Sequence, residues 1–248
     1  MAGMVFTTEQ TSRDTRQHVE AGLKADPDNA RLLGLLANIL VSDVLMAFNG
    51  AGKPEVDRAE IAANKAISLD PNTPLAYFAL GCVHRIHGDH QAAFDEFDKA
   101  TKIDPNLAKA YAQAGNEMVF TGNPAGAIPL AEKAIQLSPF DPALATFTWV
   151  QGRALFALGD YSKAIGPLEQ SARTLQSIWF PLAWLTAAYS LTGQNAKAQQ
   201  ALQTLRSNFP HFDLNRITQI YQEKQYDNPT LKQASTELLK GLQMAGLK

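Results

Sequence analysis

His84, His87 and His90 form an H-x-x-H-x-x-H run. Residues three apart on a helix share a face, and imidazoles so placed can ligate zinc. Gly88 stands between His87 and His90 and ends the predicted helix there. A structural zinc site wants about four ligands, and neither Cys82 nor Asp89 falls on the side of these histidines. The run therefore reads as histidines packed between helices, with His84 and His90 at positions that an aromatic side chain would fill. Cys82 is the chain's one cysteine; it has no motif around it and reads as a buried or groove-lining thiol, not a nucleophile. Gly50-Ala51-Gly52-Lys53-Pro54 has the glycines and lysine of a phosphate-binding loop but lacks the Ser or Thr that should follow, and no strand precedes it. No nucleophile and base pair stands out, so no catalytic residue, cofactor or metal is expected and the chain does not read as an enzyme.

Composition frames these residues. The 248-residue chain has 22 basic and 24 acidic side chains and a net charge of -2. No run of either sign interrupts it, which argues against a nucleic-acid partner and against an anionic membrane surface. A lone cysteine gives no disulfide framework and makes the cytoplasm the expected location. Residues 1–8 carry neither a basic start nor a long apolar core, so they do not read as a signal peptide; residues 1–12 are expected to be a disordered or vector-derived start. The apolar stretch 32–48 is interrupted by Asn38, Ser42 and Asp43 and falls short of the ~20 apolar residues of a membrane span, so it reads as a buried helix.

The elements that position any of these side chains follow from a period. Residues 74–107, PLAYFALGCVHRIHGDHQAAFDEFDKATKIDPNL, recur along the chain. Gly81, Gly115 and Gly152 fall in register, as do Gly88, Gly122, Gly159 and Gly193, and Ala93, Ala127, Ala164 and Ala198, at steps of 34, 37 and 34. Within the unit, Thr73-Pro74 opens a helix A with Tyr77, Leu80, Gly81 and His84 on one face. Gly88 closes it, Asp89 caps a helix B carrying Ala93, Phe97, Ala100 and Thr101, and Asp104-Pro105 stops the chain. Gly81 and Ala93 lack bulk on facing stripes, so the two backbones can approach closely there, with Tyr77 and Phe97 beside them. One hairpin cannot bury both of its faces, so neighbouring hairpins must stack.

This pattern, with Tyr77, Leu80, Gly81, Ala93, Phe97, Ala100 and Pro105 in order, resembles the tetratricopeptide repeat. The resemblance implies an all-α fold, a right-handed superhelical solenoid of antiparallel helix pairs whose A helices line a concave surface. Register divides the chain into a partial repeat 13–29, a long repeat 30–73, repeats 74–107, 108–141, 142–178 and 179–212, and capping helices over 213–248. We count one domain, because a solenoid has no internal boundary. The chain starts in mid-repeat, as a piece of a longer protein or a natural N-terminal cap would. The segment 49–54 reads as a flexible loop between helices A and B of the long repeat. Pro129 is expected to kink helix B of its repeat or delay its start, Asp141-Pro142 to open the next helix A, and Thr186 to stand where the packing glycine belongs. The long first repeat, the joint 137–142, the stretch 208–212 and the closing residues 241–247 are similar to the C-terminal repeat region of bacterial multidomain adenylate cyclases. That similarity implies a sensory or docking module beside a cyclase or DNA-binding domain; no cyclase catalytic sequence is present.

The expected function is protein binding in the concave groove, with a peptide segment, a partner domain or an upstream domain of the same polypeptide as ligand. The groove is expected to be lined or rimmed by Arg31, Asn38, Leu75, Phe78, Cys82, Arg85, Lys109, Ala112, Gln113, Asn116, Phe120, Trp149, Arg153, Phe156, Phe180 and Trp184. Arg85, Lys109 and Arg153 would then form a basic track for an extended acidic and apolar segment. Repeats of co-chaperones hold a peptide's terminal carboxylate with a five-residue clamp; only Asn38 and Lys109 match it, Gly34 and Ala79 break it, and Gln113 replaces its arginine. A self-associating scaffold is the alternative, favoured if Trp179, Phe180 and Trp184 form an exposed patch. The chain is expected to be a monomer or weak homodimer.

Overall fold

The computed structural model describes residues 8–48, 50–223 and 228–248. Among them are thirteen α-helices and no strand. The chain falls into two compact units, Met1–Glu117 and Met118–Lys248. Unit 1 holds α1 (Glu9–Ala25), α2 (Ala30–Leu45), α3 (Lys53–Leu69), α4 (Pro74–Ile86), α5 (His90–Ile103) and most of α6 (Ala108–Phe120). Unit 2 holds the end of α6, then α7 (Pro124–Leu137), α8 (Leu144–Ala157), α9 (Tyr161–Thr174), α10 (Trp179–Leu191), α11 (Asn195–Asn208), α12 (Leu214–Glu223) and α13 (Pro229–Met244). In each unit consecutive helices pair as antiparallel hairpins, α2 with α3 and α4 with α5 in one, α8 with α9 and α10 with α11 in the other.

The register glycines act as expected, with one difference in what they face. A Cβ on Gly81 would lie 2.6 Å from the Phe97 ring, and one on Gly152 2.7 Å from Leu168 Cγ. The bulky side chain of helix B thus sits on the bare backbone of helix A, and Phe97, expected beside the contact, is its centre. Thr186 fills the equivalent place in α10 by turning its hydroxyl back to Leu182 O at 2.8 Å inside its own helix, which spares a buried hydroxyl from going unbonded. Four A helices, α4, α6, α8 and α10, end through a glycine at positive φ: Gly88 at 83°, Gly122 at 92°, Gly159 at 82° and Gly193 at 75°; after α2 the residue at positive φ is Ala47, at 54°. The following N–H then reaches back five residues, as Asp89 N does to His84 O at 2.9 Å and Gln194 N to Tyr189 O at 2.9 Å, so the last carbonyls are satisfied.

Several boundaries differ from the sequence reading. Helix α1 begins at Glu9, with Thr8 accepting from Thr11 N–H as its cap, so residues 8–12 are ordered by capping; residues 1–7 lie outside the described residues. The segment read as a loop over 49–54 ends earlier, because the Gly52 N–H donates to the Glu55 carboxylate at 3.0 Å and Lys53 and Pro54 are the first helical residues; Asn49 lies outside the described residues. Helix α7 starts at Pro124 and runs through Pro129, and α9 likewise runs through Pro167. A proline inside a helix forfeits one hydrogen bond, here those to the carbonyls of Ala125 and Lys163. Helix α8 opens at Leu144 because Asp141 first makes a turn, accepting from Ala143 N–H on its side chain at 2.7 Å and from Leu144 N–H on its carbonyl at 2.9 Å.

Unit 1 is centred on Ile39, Leu40, Val83 and Phe97. Unit 2 has one large cluster, from Trp149 and Phe156 through Leu168 and Trp184 to Leu238 and Leu242. No helix among the described residues is long and apolar enough to cross a membrane. Gly81→Leu should cost unit 1 about 1–3 kcal/mol of unfolding free energy, because the new side chain must displace the fully buried Phe97 ring. Urea denaturation followed by circular dichroism reads this, and an unchanged midpoint would refute the Gly81 and Phe97 contact.

Candidate partner-binding surface

In unit 1 the predicted groove residues gather on α2, α4 and the first part of α6. Arg31 is exposed, Lys109, Gln113 and Asn116 are half-buried, and Asn38, Phe78 and Cys82 are buried. The Lys109 ammonium donates to Asn38 Oδ1 at 3.1 Å and lies 4.4 Å from the Phe78 ring centre. One residue from each of three repeats meets there, so the A helices of unit 1 present their predicted face side by side. The A-helix glycine pattern locates this row, since Cys82 and Asn116 each follow a register glycine.

Arg85 does not join that row as expected. Its Nε donates to Glu117 Oε1 at 2.6 Å, its guanidinium lies 5.1 Å from the Phe97 ring centre, and its Nη2 is buried without a hydrogen-bond partner. The Nδ1–H of His90 donates to the other Glu117 oxygen at 2.7 Å, and Asn116 Nδ2 adds a longer bond at 3.3 Å. His90 thus serves a fully buried carboxylate, and among the described residues no group of three or more His, Cys, Asp and Glu side chains is placed to hold a metal ion. Glu117 went unsingled in the sequence. The signal was there: an acid on α6 follows Ala110 and Ala114 along the apolar stripe, where it needs partners once buried.

In unit 2 the predicted groove residues are mostly core. Trp149, Arg153, Phe156 and Trp184 are buried and Phe120 is half-buried. Trp149 meets Trp184 edge-on at 5.7 Å and tilts against Phe180 at 4.7 Å. Arg153 sits with its guanidinium 4.1 Å from the Phe120 ring centre. The reason is α13, which packs on α10 and α8, the two helices expected to bear the aromatic half of the groove. Ala187 occupies in α10 the place that Cys82, Asn116 and Arg153 occupy in theirs, and its backbone lies 2.7 Å from where a Cβ on Gly241 would be. Among the described residues Trp179, Phe180 and Trp184 form no open aromatic patch: Trp179 and Phe180 are half-buried, Trp179 lying 5.4 Å from the Phe212 ring. The sequence did not single out a further cleft of about 540 Å³ among α9, α10 and α11, lined by Glu169, Arg173, Tyr189 and Lys197. There the Tyr189 hydroxyl donates to Glu169, and burial followed by that carboxylate holds the phenol well above its ordinary pKa.

Burial pushes the Cys82 thiol up to about 11, so it is protonated at neutral pH and a poor nucleophile. Burial also acts to raise the Glu117 carboxyl, but the His90 hydrogen bond and the Arg85 charge outweigh it and hold the group below its ordinary value. A depressed folded pKa adds stability above the unfolded pKa, and that stability is lost as pH falls through the folded value. Glu117→Gln should therefore lower the stability of unit 1 at neutral pH by about 3 kcal/mol, since it takes the carboxylate from a half-buried Arg85 whose Nη2 is buried. It should also flatten the loss of stability on acidification. Urea titrations of parent and variant across the acid range check both the offset and the slope.

The tetratricopeptide repeat pattern matches residues 74–107, 112–177 and 184–211, together more than half of the chain. Among curated relatives, the small glutamine-rich tetratricopeptide repeat-containing protein 2 of Mycosarcoma maydis is 31% identical over 83 residues, 34% of this chain and 24% of that protein. The anaphase-promoting complex subunit CDC27 of Saccharomyces cerevisiae is 40% identical over 55 residues, 22% of this chain and 7% of that protein. The chain thus spans a quarter or less of the length of these relatives. Among solved structures, YrrB, a TPR protein with an unusual peptide-binding site, superposes with a TM-score of 0.56 at 20% identity, over 79% of this chain and 94% of that one. PilF of Pseudomonas aeruginosa superposes with a TM-score of 0.63 at 16% identity, over 82% of this chain and 86% of that one. At such identities the likeness is one of fold. From the glycine-centred hairpins, their register and these matches, the chain belongs to the tetratricopeptide repeat family, whose members mediate protein–protein interaction.

Proposed function

We propose that the chain is a non-catalytic binding module that holds an extended segment of a partner protein against the row Arg31, Lys109, Gln113 and Asn116 of unit 1. The observation that carries this reading is the row itself: cationic and amide groups, exposed or half-buried, one on α2 and three on α6, with Lys109 ordered by Asn38 of α2 and Phe78 of α4. Amide and ammonium donors suit a chain that presents carbonyl and carboxylate oxygens at regular spacing. Arg85, given over to Glu117, leaves the ligand fewer charges to meet, so a mildly acidic segment fits better than a strongly acidic one. The similarity of the 137–142 joint and the 241–247 terminus to bacterial adenylate cyclases supports a signalling protein, or another domain of one, as the source of that segment.

Selection of displayed random peptides on the full chain tests the proposal. Recovered peptides should share acidic and apolar positions, and Lys109→Glu should slow their association and flatten its salt dependence, because a rim charge acts chiefly by steering. Gln113→Ala should speed their dissociation. Peptides bound equally by parent and both variants would place the contact elsewhere and defeat the reading.

A further inference from the structure

Helix α13 has the markings of a bound ligand. Its buried residues are Leu231, Ala234, Ser235, Leu238, Gly241 and Leu242, a single stripe at the spacing by which an amphipathic helix lies in a groove. Lys232, Gln233, Thr236, Lys240 and Gln243 on the other side are exposed. The stripe lies along register positions of successive A helices. Leu231 packs with Val119 of α6 and Ala154 of α8, and Val119 is the counterpart of Arg85 and Phe156. At the far end Gly241 meets the Ala187 backbone so closely that a Cβ would lie 2.7 Å from its Cα. Leu238 and Leu242 join the cluster of Trp149, Phe156 and Trp184. The polar attachments sit at the termini: Asn228 caps the start of the helix, while Arg206 donates to Gly246 O at 3.0 Å and the Leu214 N–H to Lys248 O at 3.1 Å. The middle of the helix is held by apolar contact and close backbone approach, which another helix of the same pattern reproduces.

We propose that the A-helix face of unit 2 is a helix-binding groove occupied by the chain's own α13. The external partner is an amphipathic helix with apolar or small side chains in the spacing of Leu231, Ala234, Leu238, Gly241 and Leu242, and it binds by displacing α13. Glycine at the 241 position is the specificity element, since only there does the partner approach the Ala187 backbone. Segment binding on unit 1 is not required for this, and variants at Lys109 or Gln113 leave it untouched.

The probe is a fluorescent synthetic peptide of residues 229–244, titrated into the full chain and into the full-length double variant Leu238→Asp, Gly241→Glu, which undocks the resident helix. The undocked variant should bind the peptide tighter than the parent by on the order of tenfold or more, because no resident helix competes; a peptide with Leu238→Asp should not bind. A variant that keeps its helical spectrum and cooperative melting yet fails to bind overturns the proposal, as does a parent that binds equally well. Should the variant not fold, hydrogen exchange on the parent decides. Amides of α13 should exchange through an opening that leaves α8 and α10 protected, and excess peptide should hasten that exchange. Exchange of α13 at the rate of α10, unmoved by peptide, overturns it equally.

Discussion

A hairpin of two helices has apolar side chains on both faces of each helix and one seam in which to bury them. The seam is settled by Phe97 on Gly81 and Leu168 on Gly152, contacts that fully bury side chains worth about 1.5–3 kcal/mol each. Every other apolar face must find cover from something else, and much of the molecule follows from how it does so. Within unit 1 the cover is the neighbouring hairpin, as α4 packs on both α2 and α3. Within unit 2, α10 packs on α9 in the same way. Its A-helix face carries Trp184 and Ala187 where water would be costly, and α13 closes it.

The difference between the two sets of A helices is written in matching positions. Where unit 1 has Cys82 and Asn116, unit 2 has Arg153 and Ala187. Asn116 is half-buried and bonds to Glu117; Ala187 has no side chain beyond Cβ and admits the backbone of Gly241. Arg153 is long enough to fold its guanidinium onto Phe120, which keeps a buried cation on the face of a ring. A polar row stays compatible with a solvated, exchangeable segment, while small and aromatic residues demand a permanent or competing apolar partner.

The fold was legible because it repeats. Glycine, alanine and proline in register report backbone geometry, and the turn glycines at positive φ carry the same meaning after α4, α6, α8 and α10. Helix ends were legible where a side chain caps them, as Asp89 does through Ala92 N–H, and misread where a turn intervened, as at Asp141. The site was legible by position and not by environment. Register put Arg85, Lys109 and Arg153 on A helices, yet which way each turns depends on Glu117, Asn38 and Phe120, contacts that a single sequence does not display. The burial of Trp149, Phe156 and Trp184 was hidden for another reason: their cover is a helix some 50 or more residues away, beyond the period that guided the reading.

The buried Glu117 shows how that environment also shapes ligand chemistry. An acid with 0% side-chain exposure is tolerated only if the donors it draws compensate its desolvation, and it takes both Arg85 and His90. Each donor so drawn is lost to the surface row beside it. Such a triad contributes little net stability compared with an apolar replacement; what it does is orient α4, α5 and α6 against one another through directional bonds of 2.6 and 2.7 Å. The orientation sets where Lys109, Gln113 and Asn116 stand along α6. The electrostatics of unit 1 are thus spent inward, on register, and the outward face is left to amide and ammonium donors that read the backbone of a ligand more than its charge.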